Sequence, residues 1–424
     1  MPRPHYHLTR LPNGLTIATA EMPRMASVSL GLWVAVGGRH EPAHLNGVSH
    51  FLEHLLFKGT RKRSAREISQ AVEGIGGYLN AFTSEENTCV YSKARHERGD
   101  ELLDVLTDMF LNAKFAPADI AKEREVIKDE VAMYFDQPQH YVQELLNQTL
   151  WPDHPLGRPL TGTAKSLDAI TRAHVLAYHR ANYVAANTLL AAAGNLRRGQ
   201  FVKAVAKASR RFRPGRRSGF VPAKWAQRSP AVRLFTKATE QTQLALGIRT
   251  CSRHDERRYA LRLLDTVLGE NMSSRLFQVI REDHGLAYSI SSVLSFFADA
   301  GDLVISAGLE TDNLRQTLKL TINELRRLTR ELVPVAEFRR ARDYVVGQID
   351  LSLESTESQM TWMGEQVLGY GKVLPPEKIK QRLAEVKRSE VRAVARDFFR
   401  PERLNLALVS PLKRAPALGK LLGW

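Results

Sequence analysis

Residues 28–34 read Val28-Ser29-Leu30-Gly31-Leu32-Trp33-Val34, an apolar, β-rich run. A run of the same outline returns at Gln243-Leu244-Ala245-Leu246-Gly247-Ile248-Arg249, with its glycine 216 positions later. Further out, Phe115-Ala116-Pro117 and Leu332-Val333-Pro334 each open a long amphipathic stretch, and their prolines lie 217 positions apart. An offset that holds this nearly constant predicts two copies of one fold.

Each copy mixes strand and helix signals. In the first, period-2 and β-branched runs predict strands over 16–21, 28–36, 88–93 and 187–193, and 3.6-residue periodicity predicts helices over 49–57, 65–74, 101–111 and 117–135. In the second, helices are predicted over 257–268, 274–282, 312–329 and 334–355. This order fits an α+β fold made of two α/β-sandwich halves, each a mainly antiparallel sheet with helices on one face. Between them, residues 207–228 hold eight Lys or Arg and no acid, broken by Pro214, Gly215, Gly219 and Pro222. That composition predicts a solvated basic linker. The expected division is a domain over 1–206, a linker over 207–228 and a second domain over 229–424.

The chain of 424 residues is 43% hydrophobic and 25% charged, which excludes a disordered chain, a collagen and a coiled-coil rod. Its two cysteines, Cys89 and Cys251, are too few for a disulfide framework or a cysteine zinc site. No apolar run is long enough to span a bilayer, and MPRPHYHLTRLPNG at the start has no apolar core of signal-peptide length. A cytoplasmic protein with no membrane partner is expected. The net charge of +16 raises nucleic-acid binding as a possibility, but half of the excess sits in 207–228 and no nucleic-acid-binding signature accompanies it. No nucleic-acid partner is expected.

The chemistry concentrates at His50-Phe51-Leu52-Glu53-His54. On a helix, positions i, i+3 and i+4 share a face, so His50, Glu53 and His54 project together. Two imidazoles one turn apart can hold one zinc ion, and a carboxylate between them can take a proton from a water. A third ligand is needed from another element. The helix after Pro117 offers Glu123, Glu125, Asp129 and Glu130. Glu123 and Glu130 are two turns apart on one face, and Asp129 points about 100° away from Glu130.

The inverted order His-x-x-Glu-His is the inverzincin signature. The longer string GVSHFLEHLLFKGT (47–60) resembles the pitrilysin-type (M16) zinc metallopeptidases, in particular the two-domain branch that includes the mitochondrial processing peptidase β-subunit and bacterial relatives. LPNGL (11–15), GGRHE (37–41), NAFTSEENT (80–88), HPLGRPLTGT (154–163), NYVAANTLLAAAGN (182–195) and SSRLFQVIREDHGLAYS (273–289) extend the resemblance over about residues 8–410.

The resemblance implies His50, His54 and Glu130 as ligands of one zinc per chain, Glu53 as general base and Glu123 as a catalytic companion acid beside a ligand. It implies that Asn80, Ala81, Phe82 and Thr83 lie on a sheet edge and pair with the backbone of a peptide substrate. Arg281 and Tyr288 match a pair that approaches the substrate carbonyl. The second copy has Thr266, Gly269 and Glu270 where the first has His50, Glu53 and His54, so it cannot build the same site. The function implied is a zinc-dependent endopeptidase acting on short or unfolded peptides, held as an extended strand inside a dimeric chamber. A homodimer is implied. The alternatives are the catalytic subunit of a heterodimer with a second M16-like protein, or a non-catalytic peptidase-like scaffold subunit.

Overall fold

The computed structural model describes residues 4–224, 227–414 and 418–423. The chain divides into two compact units, one of Met1–Ala132, Arg158–Val221 and Asp350–Pro375, the other of Met133–Gly157, Pro222–Ile349 and Pro376–Trp424.

The first unit is built on a six-stranded sheet. Its strands are β1 (Tyr6–Arg10), β2 (Thr16–Glu21), β3 (Ser27–Val34), β4 (Tyr78–Thr83), β5 (Thr88–Arg95) and β6 (Thr188–Gly194), in the order β1-β2-β6-β3-β5-β4. Every pairing is antiparallel except β2 with β6. The second unit holds β7 (Ala231–Thr236), β8 (Thr242–Thr250), β9 (Ala287–Phe296), β10 (Gly301–Leu309) and β11 (Leu404–Ser410), in the order β7-β11-β8-β10-β9. Again one pair, β7 with β11, is parallel and the rest antiparallel. Apart from β1, which has no counterpart in the second sheet, the two strand orders match, and β3 and β8, the strands that carry Gly31 and Gly247, occupy equivalent interior positions.

One face of β3 points Val28, Leu30, Leu32 and Val34 into a core shared with the helices α1 (Val48–Leu56), α2 (Ala65–Glu73), α3 (Gly99–Asn112) and α4 (Pro117–Asp136). Leu30, Phe51, Leu52 and Leu102 have no solvent exposure. Burying each such side chain contributes roughly 1.5–3 kcal/mol. The second unit repeats the scheme, with Leu246 and Ile248 of β8 packed on Leu261, Leu264, Leu318 and Leu325.

The structure adds a helix on the opposite face of each sheet, and these helices account for the glycines of the repeat. In the first unit the helix Thr356–Tyr370 lies on the face bearing Ser29, Gly31 and Trp33. Thr356 bonds the hydroxyls of Ser27 and Ser29, at 3.0 and 2.9 Å. A β-carbon on Gly31 would stand 2.2 Å from Met360 Sδ, and one on Gly364 would stand 2.2 Å from the Trp33 ring. In the second unit α5 (Pro138–Leu150) crosses β8 in the same way, and a β-carbon on Gly247 would meet Leu150 and Leu146 at 2.7–3.1 Å. Close approach of a helix requires the missing side chain.

These two helices set the bounds of the units. By sequence they lie in contiguous halves, yet Met133–Gly157 belongs with the second sheet and Asp350–Pro375 with the first, because each covers an apolar face there. The predicted linker is mostly exposed among its described residues and is held to the fold at a few points. Residues up to Val221 pack with the first unit and residues from Pro222 with the second, while Trp225 and Ala226 lie outside the described residues. Phe212 is 3% exposed and stacks on Phe110. The Ala185 N–H donates to the carbonyl of Arg213. Phe220 lies under the guanidinium of Arg39 at 4.1 Å. No helix among the described residues is long and apolar enough to cross a membrane.

Candidate active site

α1 carries the centre. Val48, Phe51, Leu52, Leu55 and Leu56 bury one face, which leaves His50, Glu53 and His54 together on the other. The helix starts at Gly47, whose φ of +93° is left-handed and whose surroundings leave a β-carbon 2.7 Å from the Thr161 carbonyl. Its first N–H groups are met by Glu41: one carboxylate oxygen accepts from Gly47 N and the other from Ser49 N, both at 2.7 Å. A buried acid on the amides of a helix N-terminus is favourable to the helix dipole. Burial pushes the Glu41 carboxyl up, and the bonds from Ser49, Gly47 and Asn46 pull it down.

α4 passes beside α1 and presents both acids of its inner face. Glu130 Oε2 is 3.7 Å from His50 Nε2 and 3.8 Å from His54 Nε2. The donor atoms of His50, His54 and Glu130 all lie within 4.8 Å of one another. Ligands about 2.0–2.1 Å from one tetrahedral ion stand about 3.4 Å apart, so the three atoms fit a cation between them. The electrostatics agree. Burial, and next the neighbouring His54, push His50 down to about 4, so at neutral pH its imidazole is uncharged. A lone-pair donor set with a carboxylate, turned toward one point, suits a cation.

Glu123, 1% exposed, accepts from His54 Nδ1 at 3.2 Å and pairs with Lys58 Nζ at 2.8 Å. A carboxylate on Nδ1–H fixes the tautomer that leaves Nε2 free as a ligand. Glu53 stands on the same face of α1, and its Oε2 accepts from the Thr83 hydroxyl at 2.6 Å. Burial raises the Glu53 carboxyl, and the Thr83 bond and His54 oppose the rise. Glu125 and Asp129 point to solvent and lie outside the cluster, as do the apolar Val126 and Met133 of α4.

Asn80, Ala81, Phe82 and Thr83 form most of β4, the last strand of the first sheet, with β5 as its only neighbour among the described residues. Asn80 is exposed and its side-chain oxygen accepts from Ala81 N. Arg281 and Tyr288 belong to the second unit. Arg281 lies in a seven-residue π-helical segment, Phe277–Asp283, and its guanidinium is 5.7 Å from the Tyr288 ring. Tyr288 is 78% exposed. Two participants escape a reading of the sequence alone, Glu41 and Lys58. Both lie in the stretches of resemblance, but nothing in their local pattern says that one caps α1 and the other grips Glu123.

Residues 16–164 match the model of Insulinase (Peptidase family M16), and 169–345 match that of the Peptidase M16 inactive domain. An uncharacterized zinc protease of Mycobacterium bovis is 39% identical over 411 residues, covering 95% of this chain and 92% of its own. The uncharacterized zinc protease YmxG of Bacillus subtilis is 37% identical over 406 residues, covering 96% and 98%. Among solved structures, a protease from Helicobacter pylori superposes with a TM-score of 0.90 at 20% identity over 96% of this chain and all of the other. The sequence similarity, sustained over nearly the whole length and joined to the same two-domain fold, makes this chain a member of peptidase family M16.

Proposed function

We propose that the chain is a zinc-dependent endopeptidase that cuts short or unfolded peptides. The observation that carries the proposal is the convergence of His50, His54 and Glu130 with Glu53 on the same helical face. Zinc held by those three residues would supply a Lewis acid for the scissile carbonyl and for an attacking water.

The residues of the chain do the remaining work. Glu53 takes the proton of the attacking water and later passes it to the leaving amine. Burial raises its pKa, which favours its service as a proton acceptor. Thr83 holds the Glu53 carboxylate in place. Glu123, anchored by Lys58, keeps the His54 ring in the ligating tautomer. The free edge of β4 at Asn80–Thr83 pairs with an extended peptide backbone, which selects for unfolded substrates rather than for a sequence.

Arg281 and Tyr288 donate to the substrate carbonyl, and in a homodimer they act on the site of the opposite copy. Their support is the family resemblance and their mutual proximity. The buried, unpaired thiols of Cys89 and Cys251 suit the reducing cytoplasm.

The test is cleavage of an unbiased peptide mixture by metal-free and zinc-loaded protein, beside a stably folded domain as a second substrate. Cleavage of peptides only with zinc, with the folded domain intact, is expected. Equal activity without metal would overturn the proposal.

A further inference from the structure

We propose that a cleft on the first unit, built from none of the metal-centre residues, binds a small phosphate-bearing anion. The cleft encloses about 250 Å³. Arg61, Arg180, Arg211 and Arg213 stand around it, and among the described residues no Asp or Glu lines it. Elsewhere in the chain some arginines are paired with acids, Arg63 with Asp108, Arg262 with Glu270 and Arg275 with Glu337, and others, such as Arg124, Arg172 and Arg249, donate to backbone carbonyls. Among the described residues the four arginines of the cleft have no carboxylate partner. All four are exposed, and arginine charges gathered at the rim of one hollow repel one another, an interaction whose sign a bound anion reverses. The planar fork of arginine matches phosphate with two parallel hydrogen bonds.

The backbone that presents these groups is fixed. Arg211 and Arg213 flank Phe212, whose ring stacks on Phe110 at 4.6 Å and 17°. The Arg213 carbonyl accepts from Ala185 N at 2.8 Å. His179 lies among them, with Nε2 3.1 Å from the Phe110 carbonyl. Its ring is pushed down to about 4, first by burial, and Arg213 and Arg180 both add to the fall. Both arginines thus stand near enough to the His179 ring to act on it.

Phe115, also in the lining, is held at φ +48°, a left-handed conformation rarely adopted by a bulky side chain, and its carbonyl accepts from Arg172 Nε at 2.7 Å. Residues held in this way cluster at ligand sites. The volume, just below the roughly 300–1,000 Å³ of sites for drug-sized molecules, suits a ligand no larger than a mononucleotide. The apolar floor of Phe110, Leu111 and Leu176 offers a place for a flat organic body. A nucleotide-sized phosphate ester meets both requirements. The basic stretch 207–228 thus contributes two of the four cations, a use for charge that its composition leaves unexplained.

The experiment is calorimetric titration of the full chain, at constant ionic strength, with sodium pyrophosphate, adenosine monophosphate, adenosine, citrate and phosphatidylglycerol vesicles. Saturable binding of pyrophosphate and adenosine monophosphate is expected, with none of adenosine. The double variant Arg180→Ala/Arg213→Ala should lose about tenfold or more in affinity, as expected for charged hydrogen bonds. Lys203→Ala, an exposed cation of the same unit outside the cleft, should lose nothing. Arg61→Ala, whose backbone bond to Asn112 is untouched by the change, serves as a second variant should the double variant fail to fold. The proposal is overturned by citrate binding as tightly as pyrophosphate, by binding to vesicles alone, by unchanged affinity in the arginine variants, or by an equal loss in Lys203→Ala.

Discussion

Replacing Glu123 with glutamine keeps the side chain's shape and removes its charge. In the native protein the carboxylate is buried between His54 Nδ1 at 3.2 Å and Lys58 Nζ at 2.8 Å. The amide oxygen of glutamine can still accept from His54, but the bond becomes a neutral one. Bonds to charged groups are worth about 1.5–3 kcal/mol and neutral ones about 0.5–1.5, a difference of about 1–1.5 kcal/mol. Lys58 is 34% exposed at its side chain, so water compensates it for the lost partner and adds little to the cost. At about 1.4 kcal/mol per factor of ten, zinc affinity should fall about tenfold. That lies at the lower end of the about 10–100-fold seen when a partner of a metal ligand is removed.

The assay is competition for zinc between the protein and a chromophoric chelator at neutral pH, with the unfolding midpoint of the metal-free protein measured alongside. Glu123→Gln should weaken zinc binding while the fold persists, and His54→Ala should weaken it far more. Unchanged zinc affinity in Glu123→Gln would refute the role assigned to the His54–Glu123–Lys58 chain. A loss as large as that of His54→Ala would refute it too, by making Glu123 a ligand.

Three further outcomes are expected. Glu41→Ala leaves the amides of Gly47 and Ser49 without their acceptor, and urea unfolding should show a loss of about 2–3 kcal/mol. Asp265 is fully buried, and burial pushes its carboxyl up to about 6 against the opposing pull of Ser292 and Arg262. The folded state therefore binds more protons than the unfolded one between the ordinary carboxylate range and about 6, so stability falls as pH rises through that window, by roughly 3 kcal/mol in all. Asp265→Asn should thus be more favourable relative to wild type above that window than below it, and a difference independent of pH would remove Asp265 as the cause. In a homodimer with shared sites, co-expressed Glu53→Gln and Arg281→Ala/Tyr288→Ala chains should recover roughly a quarter of wild-type activity, since about half the dimers are mixed and each rebuilds one site of two; mixed dimers without activity would show that the pair does not act across chains.

What the sequence makes legible is local. The face shared by His50, Glu53 and His54 follows from helical spacing, and so does the alignment of Glu123 with Glu130. The strands 16–21, 28–36, 88–93 and 187–193 lie within two residues of β2, β3, β5 and β6, because their apolar runs are long and bounded by turn residues. What stays hidden depends on contacts distant in sequence. Gly31 and Gly247 are visible as a repeat, but the helices that need them, Thr356–Tyr370 and α5, come from elsewhere in the chain and leave no mark at residue 31 or 247. The grip of Glu41 on the start of α1 depends on the path of the chain between them. Residues 207–228 read as a tether because charge and Pro/Gly content dominate the composition, and most of the described segment is exposed, but composition does not reveal that Phe212 is buried against Phe110.

The most direct test of the proposed chemistry is a paired measurement on Glu53→Gln, of bound zinc and of peptide turnover. Glu53 shares a face with both histidines but lies outside the three-donor cluster. The variant should keep one zinc per chain, while turnover falls by at least about 10²–10⁴-fold, the span ascribed to a positioned acid–base group. Full turnover with zinc retained would show that Glu53 moves no proton in the reaction, and loss of the zinc itself would show that it is a ligand.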